Sequence, residues 1–159
     1  MREIRYDLSW LENPEIVAVG RMKAVSDHDI YLNAEELSTG KSSLHACLSG
    51  RWRFHYAPDL TTLPEGFWKA DFDASGWDEI AVPGHMQLQG YGRPQYIDVQ
   101  YPWDGAQALV PPQLPKDNPT GSYVRRFTLP EAWKGMRVVL TFLGVEAAFF
   151  CWVNGRAIG

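Results

Sequence analysis

The sequence predicts an all-β, antiparallel β-sandwich, and three observations carry that reading. Several short stretches alternate apolar and polar residues with period two. Turn-rich segments separate them, and helix-forming patterns are scarce. Apolar residues make up 45% of 159, enough for one domain with a core of its own.

"RWRFHY" sets the pattern. Trp52, Phe54 and Tyr56 fall on one side of a strand, and Arg51, Arg53 and His55 on the other. One face is therefore expected to be buried and the other, His55 included, to be wet. "DEIAVPG" ends a second strand at Pro83, which cannot donate to a ladder. "GSYVRRFTLP" places Tyr123, Arg125, Phe127 and Leu129 on one face and Val124, Arg126 and Thr128 on the other. "MRVVLTFLGV" is more uniformly apolar and is expected to be covered on both faces; "AAFFCWV" follows it.

The chain closes on "WVNGRAIG". Asn-Gly is the pair that most readily takes the two positive-φ positions of a type I′ turn, so a hairpin tip is expected there. Four residues follow Gly155, so the returning strand is either very short or continues in a larger protein. Upstream, residues 1–45 read as a polar N-terminal extension and 46–159 as the β-sandwich domain. A short helix in "LNAEELSTG" is expected to be capped by Asn33 and ended by Gly40.

Composition excludes several functions. The net charge is −4 with no block of like charges, whereas phosphate backbones call for a basic face. No apolar run approaches a membrane span. The opening "MREIRYDLSWLENPEI" lacks the apolar core of a secretory signal, so a cytoplasmic protein is expected. Cys47 and Cys151 fit neither a disulfide framework nor a metal-ligand spacing and are expected to be buried free thiols.

The segment from Pro83 to Gly121 is long, irregular and rich in proline, and loops of that length tend to be functional. Its rings are Tyr91, Tyr96, Tyr101 and Trp103, which either pin the loop to the sheet or face a ligand. Chemical signatures are otherwise absent. His28, His45, His55 and His85 are scattered, and His85 after Pro-Gly suits a loop hydrogen bond. Asp71, Asp73 and Asp78 lack the spacing of a calcium loop and read as turn residues bonding their own backbone. Rings beside acids and amides suit sugars, among other ligands.

Five stretches, taken together, resemble one family. They are "WLENPEIVAVGRM", "SLHACLSGRWRFHY", "DFDASGWDEIAVPGHMQLQGYGRPQYIDVQYPW", "DNPTGSYVRRFTLP" and "VLTFLGVEAAFFCWVNGRAIG". Their order is that of the N-terminal sugar-binding domain of glycoside hydrolase family 2 β-galactosidases, a jelly-roll, galactose-binding-like sandwich. The resemblance implies a retaining galactosidase of which this chain is an N-terminal piece, with the sandwich incomplete at its C-terminal end. It further implies that both catalytic glutamates lie on a barrel outside this chain, so no catalytic residue is expected here. Glu146 precedes a sandwich strand and is not one of them.

The family loop commonly reads P-I-Y-T-N-V-x-Y-P, and its Asn lies close to the bound sugar. Here Asp98 takes that position and Val99 the next. A carboxylate accepts hydrogen bonds but cannot reproduce an amide donor. Trp103 is the candidate platform on the aglycone side. By the same resemblance this chain holds no cofactor or metal, and magnesium and sodium belong to the parent enzyme. Its partners would be the β-galactoside, the parent's remaining domains and further copies in a homo-oligomer, with no nucleic acid or membrane. A bare edge beside "AAFFCWV" would also favour self-association. Two alternatives remain open: the matching domain of a β-glucuronidase-type member, and a stand-alone lectin-like module.

Overall fold

The structure is a computed structural model and describes residues 7–23, 28–94, 101, 103 and 107–159. Its sheets are antiparallel. The first has three strands, β1 (Gly50–Ala57) lying between β2 (Asp78–Val82) and β3 (Thr120–Val124). The second is a hairpin of β4 (Trp152–Val153) and β5 (Arg156–Ala157). The helix α1 (Ala34–Thr39) and several 3₁₀ turns complete the elements, so the all-β expectation holds. Among the described residues no helix is long and apolar enough to cross a membrane.

Local signals are obeyed where the partners lie close in sequence. Glu36 N–H donates to the Asn33 side chain at 2.9 Å, and Gly40 ends α1 in the left-handed region. Asn154 and Gly155 take φ of 50° and 81°, the two positive values that a type I′ turn demands. The returning arm is short but present. Val153 pairs with Arg156 and Trp152 with Ala157. Backbone bonds between Cys151 and Ile158 (2.9 Å) and Gly159 (2.6 Å) extend the pairing.

β1 is the axis of the first sheet. Phe54 is 1% exposed, with Asp78 opposite it on one flank and Tyr123 on the other. Its ring meets Tyr91 edge-on at 4.6 Å and Tyr123 at 4.9 Å. Ile80, also fully buried, lies opposite Trp52 on the same face. Gly121 permits this packing, because a Cβ there would sit 2.7 Å from both the Phe54 and the Tyr123 rings.

The opposite face is not uniformly wet. Arg51 and Arg53 are exposed, but His55 is half-buried, with its ring 5.3 Å from Trp77. Ser122, opposite His55, is 2% exposed. His55 Nδ1 and Ser122 Oγ are both buried and have no hydrogen-bond partner among the described residues. Alternation along one strand could not foresee this, because the cover comes from Trp77, twenty-two positions away in sequence.

From that contact a line of rings crosses the molecule. Trp77 packs against Phe67 (6.0 Å) and Phe72 (5.3 Å). Phe67 meets Trp152 at 5.6 Å, and Trp68 stacks on Trp152 at 5.6 Å and 20°. Phe150 links Trp152 (6.1 Å) to Trp10 (6.2 Å). The hairpin and the N-terminal 3₁₀ turn are thus joined to the sheet through aromatic contacts. Other N-terminal residues also reach later parts of the chain. Trp133 donates from Nε1 to the Ser43 carbonyl at 2.9 Å, and Leu114 N–H donates to the Glu12 carboxylate at 3.0 Å.

Three expectations need correction. The "MRVVLTFLGV" stretch forms no strand, and its side chains are largely exposed, Leu143 at 90%. An apolar strand is buried on both faces only when layers lie on either side, and the described residues build no layer over it. β3 stops at Val124 rather than running to Leu129. Beyond it, Arg126 turns to the Ala70 and Phe72 carbonyls, at 3.1 and 2.8 Å, and Arg125 donates to the Arg51 carbonyl. Cys47 is exposed and Cys151 half-buried, so the thiols are free but not both buried; burial pushes the Cys151 thiol pKa up.

Asp7, Asp59 and Asp73 each close a turn of their own. Asp73 accepts from Ser75 N–H at 2.9 Å, and Asp59 from Thr61 N–H at 2.8 Å. Such bonds favour the ionised form and hold all three carboxyls below their usual range. A lowered folded pKa adds stability above the unfolded value and loses it as pH falls through the folded one. Urea midpoints should therefore drop as pH is lowered below about 4, and Asp59→Asn should flatten that drop.

Gly121→Ala should destabilise the chain by roughly 1–3 kcal/mol through overpacking against Phe54. Phe54→Ala should cost about 3–5 kcal/mol through the cavity it leaves. Thermal or urea unfolding checks both, and a neutral Gly121→Ala would show that the rings yield without cost.

Candidate functional site

The loop after β2 carries the residues that the sequence singles out. Its first turn is fixed to the sheet by one side chain. The Ala81 N–H donates to Gln89 Oε1 at 2.8 Å, and Gln89 Nε2 donates back to the Ala81 carbonyl at 3.0 Å. Gln89 thereby stands in for a neighbouring strand on the free edge of β2. Its 3₁₀ turn, Met86–Gln89, follows His85 and ends at Gly90 in the left-handed region.

Tyr91 is the pin. Its ring packs edge-on against Phe54, and its hydroxyl donates to Asp78 Oδ2 at 3.0 Å. Desolvation raises the Tyr91 pKa, and the hydrogen bond to Asp78 adds to the rise. Asp78 is thus a strand residue that receives the loop, while Asp73 is the turn residue that the sequence suggests.

Farther along the loop, Asp98 and Val99 lie outside the described residues, as does Tyr96. Trp103 is described and half-buried, and its ring lies parallel to Tyr101 at 5.2 Å and 7°. Tyr101 is 68% exposed. A stacked pair of this kind is a flat, pre-oriented surface for the C–H face of a sugar or for an aromatic aglycone. The sequence points to Trp103 as the platform and to Tyr101 as one of the loop rings that either pin the loop or face a ligand.

The returning limb of the loop is tied by side-chain amides and by the N-terminal turn. Lys116 N–H donates to Gln107 Oε1 at 2.8 Å, Val110 N–H to Gln113 Oε1 at 3.3 Å, and Leu114 N–H to Glu12. Both ends of the loop are therefore anchored, by Gln89 and Tyr91 at one end and by Glu12 at the other.

His85 and Glu146 come together, with Nδ1 3.4 Å from the carboxylate. Glu146 is 83% exposed, and among the described residues no second carboxylate is paired with it. Two-carboxylate glycoside chemistry needs partners about 5 Å apart across the scissile bond, and Glu146 faces a histidine in open solvent instead. Among the described residues no group of three or more His, Cys, Asp or Glu could hold a metal ion.

Comparison with known proteins matches residues 44–159 to the family described as "Glycosyl hydrolases family 2, sugar binding domain". The chain is similar to a beta-galactosidase of Halalkalibacterium halodurans, 45% identical over 155 residues, covering 96% of this chain and 15% of that protein. A beta-galactosidase of Lactobacillus delbrueckii subsp. bulgaricus is 45% identical over 153 residues, with the same two shares. A beta-galactosidase large subunit of Leuconostoc lactis is 40% identical over 166 residues, covering 96% of this chain and 26% of the subunit. The chain thus spans about a seventh to a quarter of the length of these relatives. With the family matched over most of its length and the strands antiparallel throughout, this chain belongs to the sugar-binding domain family of the family 2 glycosyl hydrolases.

Proposed function

We propose that this chain is the sugar-binding domain of a β-galactosidase that releases terminal β-D-galactosides with retention. The observation that carries the proposal is the similarity along 96% of the chain to proteins named beta-galactosidase, at 40–45% identity. It favours this reading over the glucuronidase-type and lectin-like alternatives, because nearly the whole chain is shared with galactosidases.

In this proposal the domain forms one wall of the pocket and supplies no catalytic carboxylate. Asp98 accepts a hydrogen bond from a sugar hydroxyl, Val99 packs beside it, and Trp103 with Tyr101 faces the aglycone side. Hydrolysis proceeds on two glutamates of another domain, one as nucleophile and one as acid/base. Magnesium and sodium belong to that part of the enzyme. The full protein works as a homo-oligomer in the cytoplasm. Supporting the wall role, the loop is anchored at both ends, by Gln89 near its start and by Glu12 on its returning limb.

The isolated chain should not turn over a chromogenic β-galactoside. Turnover that Asp98→Ala abolishes, in a preparation proven free of other galactosidases, would contradict the proposal. In the full-length enzyme, Asp98→Ala should cost roughly 1.5–3 kcal/mol of transition-state stabilisation, about one to two decades in kcat/KM. Trp103→Ala should cost about two- to tenfold, mainly in KM for aryl galactosides, since ring contacts contribute roughly 0.5–1.5 kcal/mol. Unchanged kcat/KM in both variants would remove these residues from the pocket.

A further inference from the structure

The far face of the first sheet carries a cleft of about 350 Å³ that plays no part in the pocket proposed above. Arg51, Arg53, Arg125 and Arg126 line it, with Asp73, Ser75 and Glu79; Ala74 and Val124 contribute the apolar lining. Its size falls at the small end of the ~300–1,000 Å³ typical of small-molecule sites. Four guanidinium groups against two carboxylates leave it positive, in a chain whose net charge is −4.

This gathering is not what packing alone would choose. Arg53 lies opposite Val124 in the β1–β3 ladder, and the same register continued by two residues would set Arg126 opposite Arg51. Like charges facing each other across strands are destabilising. β3 ends at Val124 before that pairing is made, and side-chain anchors gather the arginines around the cleft instead. Arg126 is anchored on the Ala70 and Phe72 carbonyls, Arg125 on the Arg51 carbonyl, and Arg53 on the Trp77 carbonyl (3.3 Å) and Glu79 (3.6 Å). Each anchor uses one or two of five N–H donors, and the others have no hydrogen-bond partner among the described residues. The Arg51 guanidinium has no hydrogen-bond or ion-pair partner among the described residues.

We propose that this cleft binds a doubly charged tetrahedral oxyanion, either inorganic phosphate or the phosphate group of an ester. Guanidinium forks match the paired oxygens of such an anion, and several forks around one cleft engage a tetrahedral dianion better than a single planar carboxylate. A compact cleft in an acidic chain does not suit a polynucleotide, which needs an extended basic stripe.

The test is calorimetric titration of inorganic phosphate, and separately of phenyl phosphate, into the 159-residue chain at constant ionic strength. Saturable one-site binding is expected, with Arg51→Gln weakening it about tenfold or more, the effect of one charge-assisted hydrogen bond. Glu79→Gln removes a repulsive carboxylate and is expected to tighten binding several-fold. Tighter binding of phenyl phosphate would identify an ester as the ligand, and equal or weaker binding the free ion. Absence of saturable binding, or an affinity that neither variant changes, would overturn the proposal. If Arg51→Gln fails to fold, the Glu79→Gln titration decides alone.

Discussion

The contact on which most of the structure depends is the packing of Trp152 against Phe67 and Trp68. Few side chains among the described residues are fully buried, so the core proper is small: Phe54, Ala57, Ala74 and Ile80. The second sheet is a hairpin of two-residue strands, too short to stand alone in water. What joins it to the first sheet is the line of rings from His55 through Trp77 and Phe67 to Trp152. The line continues through Phe150 to Trp10. Large rings contribute much contact area per residue, so a short chain segment can be held by a few of them.

That arrangement divides the sheet into two ends with different duties. At the Phe54 end, Tyr91 and Gln89 fasten the start of the long loop, and Gly121 leaves room for the rings. The loop also holds the Tyr101–Trp103 stack, with Tyr101 exposed and Trp103 half-buried. On the other face, arginines at one end of β1 and just past β3 bend to backbone carbonyls and line a positive cleft.

Features that rest on neighbours in sequence were legible. The Asn33 and Gly40 caps, the Asn154-Gly155 turn, the Asp73 turn and the first two strands all follow from residues within a few positions of one another. Features that rest on distant partners were not. His55 alternates like a wet residue, yet Trp77 covers it. The run from Met136 to Val145 is apolar like a buried strand, yet its state depends on a covering layer that the run itself does not encode. The arginine cleft was half visible, as "RWR" and "RR", but the bonds that gather these side chains run to carbonyls distant in sequence. Gly121 offered a signal that could have been used, since a glycine inside a strand marks a close approach. Of the sequence's candidate sugar-site residues, Trp103 is stacked on Tyr101, while Asp98 and Val99 lie outside the described residues.

The most direct test is a structure of the full-length enzyme with a non-hydrolysable galactoside bound. The account predicts the sugar against the loop after β2, with Asp98 within hydrogen-bond distance of a hydroxyl and the Tyr101–Trp103 rings on the aglycone side. A galactoside bound with this loop out of contact would contradict it.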